Sequence, residues 1–140
     1  HDPVSLDYPS RWFDFEAILA DTFVSTVAFQ RECRSTNDRA LGIESSNLPL
    51  LVATDAQTAG RGRGNHNWWG GDGGLTFSLR LAPAQFGIHQ SQWPLVSLTT
   101  AIAVADTLAL FAPDSTRGLK WPNDVHLAGR KVSGILVEPP

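Results

Sequence analysis

Three short runs separated by tight-turn signals constrain the fold of this chain more than any other feature. They cover residues 118–121, 125–127 and 131–137, and they are rich in residues that favour strands. Pro122-Asn123-Asp124 separates the first two runs, and Ala128-Gly129-Arg130 separates the last two. Connections this short join antiparallel neighbours. The sequence therefore predicts antiparallel strands here.

Helical and strand patterns alternate in the rest of the chain. After a polar lead-in over residues 1–9, the predicted helices are one over 12–19 capped by Ser10, one whose first turn is Arg39-Ala40-Leu41 after the capping cluster Ser35-Thr36-Asn37-Asp38, and a long buried one over 95–109. The predicted strands are 23–29, 50–53 and 75–81. This mixture predicts an α+β fold with a mixed, largely antiparallel sheet flanked by helices.

Composition excludes several classes of function. The formal net charge of -3 over 140 residues offers no broad basic field for duplex DNA. A single cysteine, Cys33, cannot form an internal disulfide, and a lone cysteine is usually a small core residue. We expect no apolar run near the roughly 20 residues that span a bilayer, and hence a cytoplasmic protein. The absence of Met and the ending directly after a strand pattern lead us to expect an incomplete C-terminus.

Arginine alternates with glycine in the run Gly60-Arg61-Gly62-Arg63, which follows Gln57. Glycine permits close backbone approach, and the arginine fork matches a carboxylate or a phosphate. Two guanidinium groups this close repel each other unless an anion lies between them. An exposed turn with solvated arginines is the alternative, but Trp68 follows and could stack on a base or another ring.

Two further groups near the C-terminus carry possible chemistry. Lys120-Trp121-Pro122-Asn123-Asp124 is a tight turn in isolation, yet Asn and Asp supply the oxygen ligands that Mg²⁺ prefers beside nucleotide phosphates. Lys131 stands at the start of an apolar strand, where the common outcome is a solvated lysine. Gly134, three residues later, leaves room for a ligand against the sheet.

Together these groups resemble the biotin protein ligase family, over residues 31–138. The matching residues are Ser35-Thr36-Asn37, Gln57 with Gly60-Arg61-Gly62-Arg63 and Trp68, Lys120-Trp121-Pro122-Asn123-Asp124, and Gly129-Arg130-Lys131 with Gly134-Ile135-Leu136-Val137-Glu138. The resemblance implies a catalytic domain of the class II synthetase type, with biotin on the sheet and ATP in the adjacent loops. Residues 31–140 would form this domain, preceded by an N-terminal helix and lead-in strand over 1–30.

The resemblance also implies roles for the matching residues. The group that contacts biotin comprises Ser35, Thr36, Asn37 and Gln57. The loop that closes over biotin and its adenylate comprises Gly60, Arg61, Gly62 and Arg63, with Trp68 stacked near adenine. The nucleotide group comprises Lys120, Asn123, Asp124, Lys131 and Gly134, of which Asn123 and Asp124 sit by the phosphates or Mg²⁺. The residues that act on the reacting carboxylate and α-phosphate are Lys131, Arg63 and Arg61.

The implied reaction is ATP-dependent activation of biotin to biotinyl-5′-AMP, followed by transfer to a lysine of a biotin carboxyl carrier protein. No DNA or membrane partner is implied, and a homodimer stays open. A lipoate or octanoate ligase or transferase of the same fold is one alternative, and a biotin-binding module without catalysis is another. This chain departs from the family at Gly64-Asn65-His66-Asn67, where a further Gly and basic residues are usual.

Overall fold

The structure of the chain, a computed structural model, describes residues 10–44 and 46–139, so the lead-in predicted over 1–9 lies outside the described residues. In chain order its elements are α1 (Phe15–Asp21), β1 (Thr26–Cys33), α2 (Thr36–Gly42), β2 (Leu50–Gln57), β3 (Gly60–Arg61), β4 (Asn67–Trp68), β5 (Thr76–Arg80), two 3₁₀ helices (Pro83–Phe86 and Gln90–Leu95), α3 (Val96–Phe111), β6 (Arg117–Lys120), β7 (Asp124–Leu127) and β8 (Arg130–Gly134). The predicted α+β class, with parallel and antiparallel pairing, is confirmed.

The described residues fall into two compact units. The first runs to Arg61 and resumes over Asn65–Ala82, and the second contains Gly62–Gly64 and Pro83–Pro139. Each unit is built around its own sheet.

In the first unit β2 lies between a parallel β1 and an antiparallel β5. Side chains alternate across the sheet, so each face buries a separate apolar cluster. The cluster on the α1 side contains Phe15, Val24, Val27, Phe29, Leu51 and Ala53. The cluster on the α2 side contains Ala28, Ala40, Leu50 and Val52. This second face also carries the buried polar side chains of the candidate site.

In the second unit β6, β7 and β8 form an antiparallel sheet in sequence order, as the turn signals predict. Ala128 and Gly129 form the two-residue turn between β7 and β8, with φ angles of 49° and 75°. Positive φ at both turn positions matches the right-handed twist of a hairpin, which explains the tight connection. Ile135 continues the pattern beyond β8, donating its N–H to the carbonyl of Asn123 at 2.9 Å.

The first helix begins at Phe15, several residues after the predicted cap Ser10. Asp14 caps α1 by accepting a hydrogen bond from the N–H of Ala17, so the expectation of Ser10 as the cap is wrong. Ser10 Oγ instead accepts from the N–H groups of Trp12 and Phe13, and it donates to Asp55 at 3.0 Å. The serine has therefore formed a local turn upstream of the helix.

The expectation that the long helix is buried is also wrong. Within the described residues only Ala101 of α3 is buried, although the apolar pattern predicted a buried helix. The helical stretch Gln90–Phe111 has 22 residues and contains an 18-residue window with a mean hydropathy of 1.7, which is long and apolar enough to cross a membrane. Core helices of soluble proteins meet the same criterion but are mostly buried, whereas only 6% of this window is buried. Length and hydropathy alone do not show that the helix spans a membrane.

Candidate functional site

The start of α2 places two small polar side chains under the sheet. β1 ends at Cys33, and Ser35 caps the helix by accepting a hydrogen bond from the N–H of Asp38 at 3.3 Å. Ser35 and Thr36 are only 5% and 3% exposed. Buried hydroxyls need partners, because an unpaired one costs about 1–3 kcal/mol. Their partners define the first part of the site.

Gln57, the last residue of β2, supplies the main partner of Thr36. Its Oε1 accepts from the Thr36 N–H at 2.9 Å and from Thr36 Oγ1 at 3.3 Å. Ser78 of β5 completes the group: its Oγ lies 2.7 Å from Thr36 Oγ1 and contacts Asn37 Oδ1. The structure thus brings together Ser35, Thr36, Asn37 and Gln57, four of the predicted site residues.

Sequence reasoning missed Ser78 and Arg80. The alternating pattern of β5 correctly predicts a strand with one polar face, yet Ser78 on that face is buried while Phe77 on the other is 51% exposed. Arg80 donates from Nη1 to the carbonyls of Ala40 at 3.1 Å and Ile43 at 2.8 Å, which satisfies the C-terminal end of α2. The sequence signal for these two residues was the spacing of Thr76, Ser78 and Arg80, which places three polar side chains on one face of the strand.

Asp38 of α2 and Arg61 of β3 form a bidentate ion pair. Arg61 Nη1 donates to Asp38 Oδ2 at 2.9 Å, and Nη2 donates to Oδ1 at 2.7 Å. The hydrogen bonds from Arg61 hold the pKa of Asp38 below its ordinary value. This pair joins α2 to the start of the Gly-Arg segment.

The Gly-Arg segment opens with a short hairpin. Gly60 of β3 pairs with Trp68 of β4. A Cβ at Gly60 would collide with the Gln57 amide nitrogen and would lie 2.8 Å from the Trp68 carbonyl oxygen, so only glycine fits. Trp68 is half-buried, whereas Trp69 is 77% exposed. The left-handed residue of the connecting loop is Gly64, with φ 66°.

In the second unit a polar face forms on the β6-β7-β8 sheet. The register pairs Asp124 with Lys120 on β6, and His126 with Lys131 on β8. Cross-strand partners point to the same face, as do alternate residues of one strand, so these four side chains share a face. Lys131 Nζ lies 2.9 Å from Asp124 Oδ1, and this oxygen is buried without a hydrogen bond of good geometry. The contact is therefore an ion pair.

Asn123 sits at the edge of the same sheet. Its Nδ2 donates to the carbonyl of Ile135 at 2.9 Å, which orients the side-chain oxygen away from that strand. The described residues contain no cluster of three or more His, Cys, Asp or Glu side chains that could hold a metal ion. His126 was missed by sequence reasoning, and its buried Nε2 has no hydrogen-bond partner in the described part of the chain.

An open cleft of about 500 Å³ lies beside the start of α2, with Cys33, Ser35 and Asp38 in its lining. Burial raises the pKa of the Cys33 thiol, and hydrogen bonding to Thr54 offsets part of this effect. A raised pKa lowers the fraction of reactive thiolate at neutral pH. Cys33 itself is only half-buried and lines this cleft, so it is not the core residue that a lone cysteine usually is.

The sequence profile of one protein family, described as the biotin/lipoate A/B protein ligase family, matches residues 27–139. The chain belongs to this family.

Individual biotin/lipoate A/B protein ligases resemble the chain over most of its length. The bifunctional ligase/repressor BirA of Bacillus spizizenii is 37% identical over 113 residues, which cover 79% of this chain and 34% of the relative. The biotin–[acetyl-CoA-carboxylase] ligase of Mycobacterium tuberculosis is 33% identical over 109 residues, covering 74% and 41%. The chain thus spans about a third to two-fifths of the length of these curated relatives.

A solved member of the ligase family has the same fold. The biotin protein ligase from Aquifex aeolicus in complex with biotin and ATP superposes with a TM-score of 0.66 at 35% sequence identity. The match covers 82% of this chain and 47% of the solved one.

Seen as part of this ligase fold, the candidate residues divide between the two units. The first unit holds Ser35, Thr36, Asn37, Gln57, Gly60, Arg61 and Trp68. The second holds Gly62, Arg63, Lys120, Asn123, Asp124, Lys131 and Gly134. Within the first unit hydrogen bonds join Thr36 to Gln57 and Ser78, and within the second an ion pair joins Lys131 to Asp124. The adjacent arginines Arg61 and Arg63 belong to different units.

Proposed function

We propose that this chain carries the site that activates biotin with ATP and passes it to a lysine of a carrier protein. The relatives support the choice of acid, since their names specify biotin ligases and the solved relative is a complex with biotin and ATP. Because the chain spans only part of those proteins, the full reaction is a proposal for the protein to which it belongs.

The observation that carries the proposal is the buried hydrogen-bonded group around Thr36 and Gln57. Biotin presents a cyclic urea, whose two N–H groups and one carbonyl require acceptors and a donor inside an apolar pocket. Hydroxyl and amide side chains supply both functions. Ser35 and Asn37 stand next to this pair, and the apolar Ala28, Leu50 and Val52 pack on the same side of the sheet. We assign biotin to this face.

The chemistry of activation explains the cations in the second unit. A carboxylate oxygen is a poor leaving group, whereas a mixed anhydride with AMP has a good one. Bringing the carboxylate to the α-phosphate requires compensation of two negative charges. Lys131, with Lys120 on the same face and Arg63 in the Gly-rich segment, supplies positive charge where negative charge develops. Removing one such contact typically costs about 10²- to 10³-fold in rate.

Asn123 and Asp124 fit a divalent cation of the kind that accompanies nucleotide phosphates. Mg²⁺ usually takes only one or two protein oxygens and keeps several waters, so the lack of a three-ligand cluster in the described residues is compatible with it. When bound, the ion would neutralise phosphate charge. Asp124 now contacts Lys131, so this lysine competes for the same carboxylate.

The second half-reaction needs an approaching amine. A lysine of a biotin carboxyl carrier protein would attack the acyl carbon of the anhydride, the bond to the phosphate oxygen would break, and AMP would leave. We further propose that this part of the protein does not bind duplex DNA, because its net charge of -3 offers no broad basic field. Arg63 and Trp68 would border the adenylate and keep water from the anhydride.

Titration with biotin, with and without ATP, tests the proposal most directly, together with biotin-dependent exchange of pyrophosphate into ATP. Biotin should stabilise the chain against heat, and exchange should require biotin. Stabilisation by lipoate or octanoate and not by biotin would assign the other acids of this family. Biotin binding with no exchange in a chain that covers the whole family domain would leave a binding module without catalysis.

A further inference from the structure

The two arginines of the Gly-Arg-Gly-Arg run have different surroundings in the structure. Arg61 lies in β3, and both of its terminal nitrogens donate to the carboxylate of Asp38. Arg63 lies two residues later, in the short piece of chain that belongs to the second unit. The anion expected beside these arginines is thus already present for Arg61, and it is part of the protein.

Several contacts show that the Asp38–Arg61 ion pair, called the tie below, connects α2 to the β3-β4 hairpin. Asp38 belongs to α2, two residues after Thr36, and its N–H is held by Ser35 Oγ. Arg61 follows Gly60, whose position against Gln57 and the Trp68 carbonyl leaves no room for a Cβ. The ion pair therefore connects α2, which carries Thr36, to the hairpin that packs against Gln57.

We propose that Arg61 is a positioning residue, which ties the β3-β4 hairpin to α2 through Asp38, and that anion recognition in this segment belongs to Arg63. A bidentate arginine–carboxylate pair is well suited to this task, because it fixes orientation as well as distance. The inference rests on the proposed function only where biotin is the readout. The tie itself can be measured without any ligand.

The first experiment is a charge swap. Asp38→Arg and Arg61→Asp each place like charges opposite each other, and each should weaken biotin binding by more than about tenfold, measured by calorimetry. The double variant Asp38→Arg/Arg61→Asp restores an opposite-charge pair, and its affinity should return to within about threefold of the parent. If Arg61 contacted the ligand directly, the double variant would bind as weakly as Arg61→Asp alone, and the proposal would be wrong.

Asp38→Asn gives a second test, which does not require a charge-reversed variant to fold. Loss of the charged partner should weaken biotin binding by about 3- to 10-fold if Arg61 is a tie. An arginine held away from its ligand by Asp38 would instead be released, and affinity would rise. Asp21→Asn is the matched control, since Asp21 is an exposed carboxylate of the same unit and its loss should leave affinity unchanged.

Amide hydrogen exchange separates this inference from the proposed function. In the chain without ligand, Asp38→Asn and Arg61→Asp should speed exchange at the Gly60 and Trp68 backbone of the hairpin, and the charge swap should slow it again. If the parent fails to respond to biotin, the proposed function fails, and these exchange rates still decide whether the tie exists. Exchange rates equal to those of the parent in all three variants would overturn the tie.

Discussion

At the scale of single residues, the proposed function makes its most specific prediction for Lys131. Its ammonium is 2.9 Å from Asp124, so the structure shows it facing the polar side of the sheet. We expect Lys131→Ala to slow adenylate formation by about 10²- to 10³-fold while biotin affinity changes much less, because the contact strengthens as charge develops. Lys131→Arg should also be impaired, since the planar guanidinium is bulkier. Single-turnover kinetics on a chain that covers the whole family domain would measure both.

A lysine that is only a surface partner of Asp124 would give the opposite outcome. In that case Lys131→Ala would show the adenylation rate of the parent, and its effect would be confined to stability. Arg117→Ala is a suitable control, because Arg117 pairs with Leu127 on the opposite face of the same sheet.

The Asp38–Arg61 pair also predicts a pH dependence. Arg61 holds the pKa of Asp38 below its ordinary value of 3.8, so the folded state favours the charged carboxylate. A lowered pKa contributes stability that is present above 3.8 and is lost as pH falls through the lower folded value. The melting temperature of Asp38→Asn should thus lie below that of the parent near neutral pH and meet it in acid. If the difference in melting temperature between Asp38→Asn and the parent stayed constant down to the lowest pH, the ion pair with Arg61 would not be its cause.

At the scale of elements, Gly60 and Gly42 form a matched pair. An alanine at Gly60 would press on Gln57 and on the Trp68 carbonyl, so it should open the hairpin, destabilise the chain by about 1–3 kcal/mol and weaken biotin binding. Gly42 ends α2 with nothing within 4 Å of its Cβ position. Gly42→Ala should be neutral or stabilising by up to about 1 kcal/mol. Thermal melting with and without biotin tests both, and equal behaviour would contradict the close packing at Gly60.

Local patterns predicted most of these elements because the relevant physics is local. Turn residues predicted the β6-β7-β8 sheet, and the Ser35 cluster predicted a capped helix, since capping and tight turns depend on a few neighbouring side chains. The helix begins at Thr36, three residues before its predicted first turn. Which face of β5 turns inward depends on what lies across from it. Ser78 is buried because Thr36 and Asn37 offer hydrogen bonds, and alternation alone does not contain that information.

The candidate site was predictable to a similar degree. The resemblance to a known family singled out Ser35, Thr36, Asn37 and Gln57, and the structure joins Thr36 to Gln57 by hydrogen bonds. Asp38 was noted only as a capping residue, and its pairing with Arg61 spans 23 positions of sequence. Long-range pairs of this kind depend on how β1 and β2 align, which a single sequence does not specify.

At the scale of the whole molecule, the distribution of apolar surface is unusual. Leu110 and Phe111 at the end of α3 are 80% and 81% exposed, while Leu50 and Val52 in the first unit are fully buried. Exposed apolar surface on this scale usually engages a partner or causes association. The chain as it stands should therefore self-associate in a concentration-dependent manner, and the end of α3 should contribute to this.

The last prediction tests that exposure by substitution. Leu110→Lys/Phe111→Lys removes apolar surface from the end of α3, and it adds positive charge in the last turn, where the helix dipole favours cations. We expect the melting temperature to stay equal or rise, while sedimentation shows less self-association. Ala101→Lys in the same helix is the control: Ala101 is 1% exposed, and a buried unpaired charge should cost at least about 3 kcal/mol. If the double variant lost as much stability as Ala101→Lys, the end of α3 would be buried in solution, and the exposure described here would be wrong.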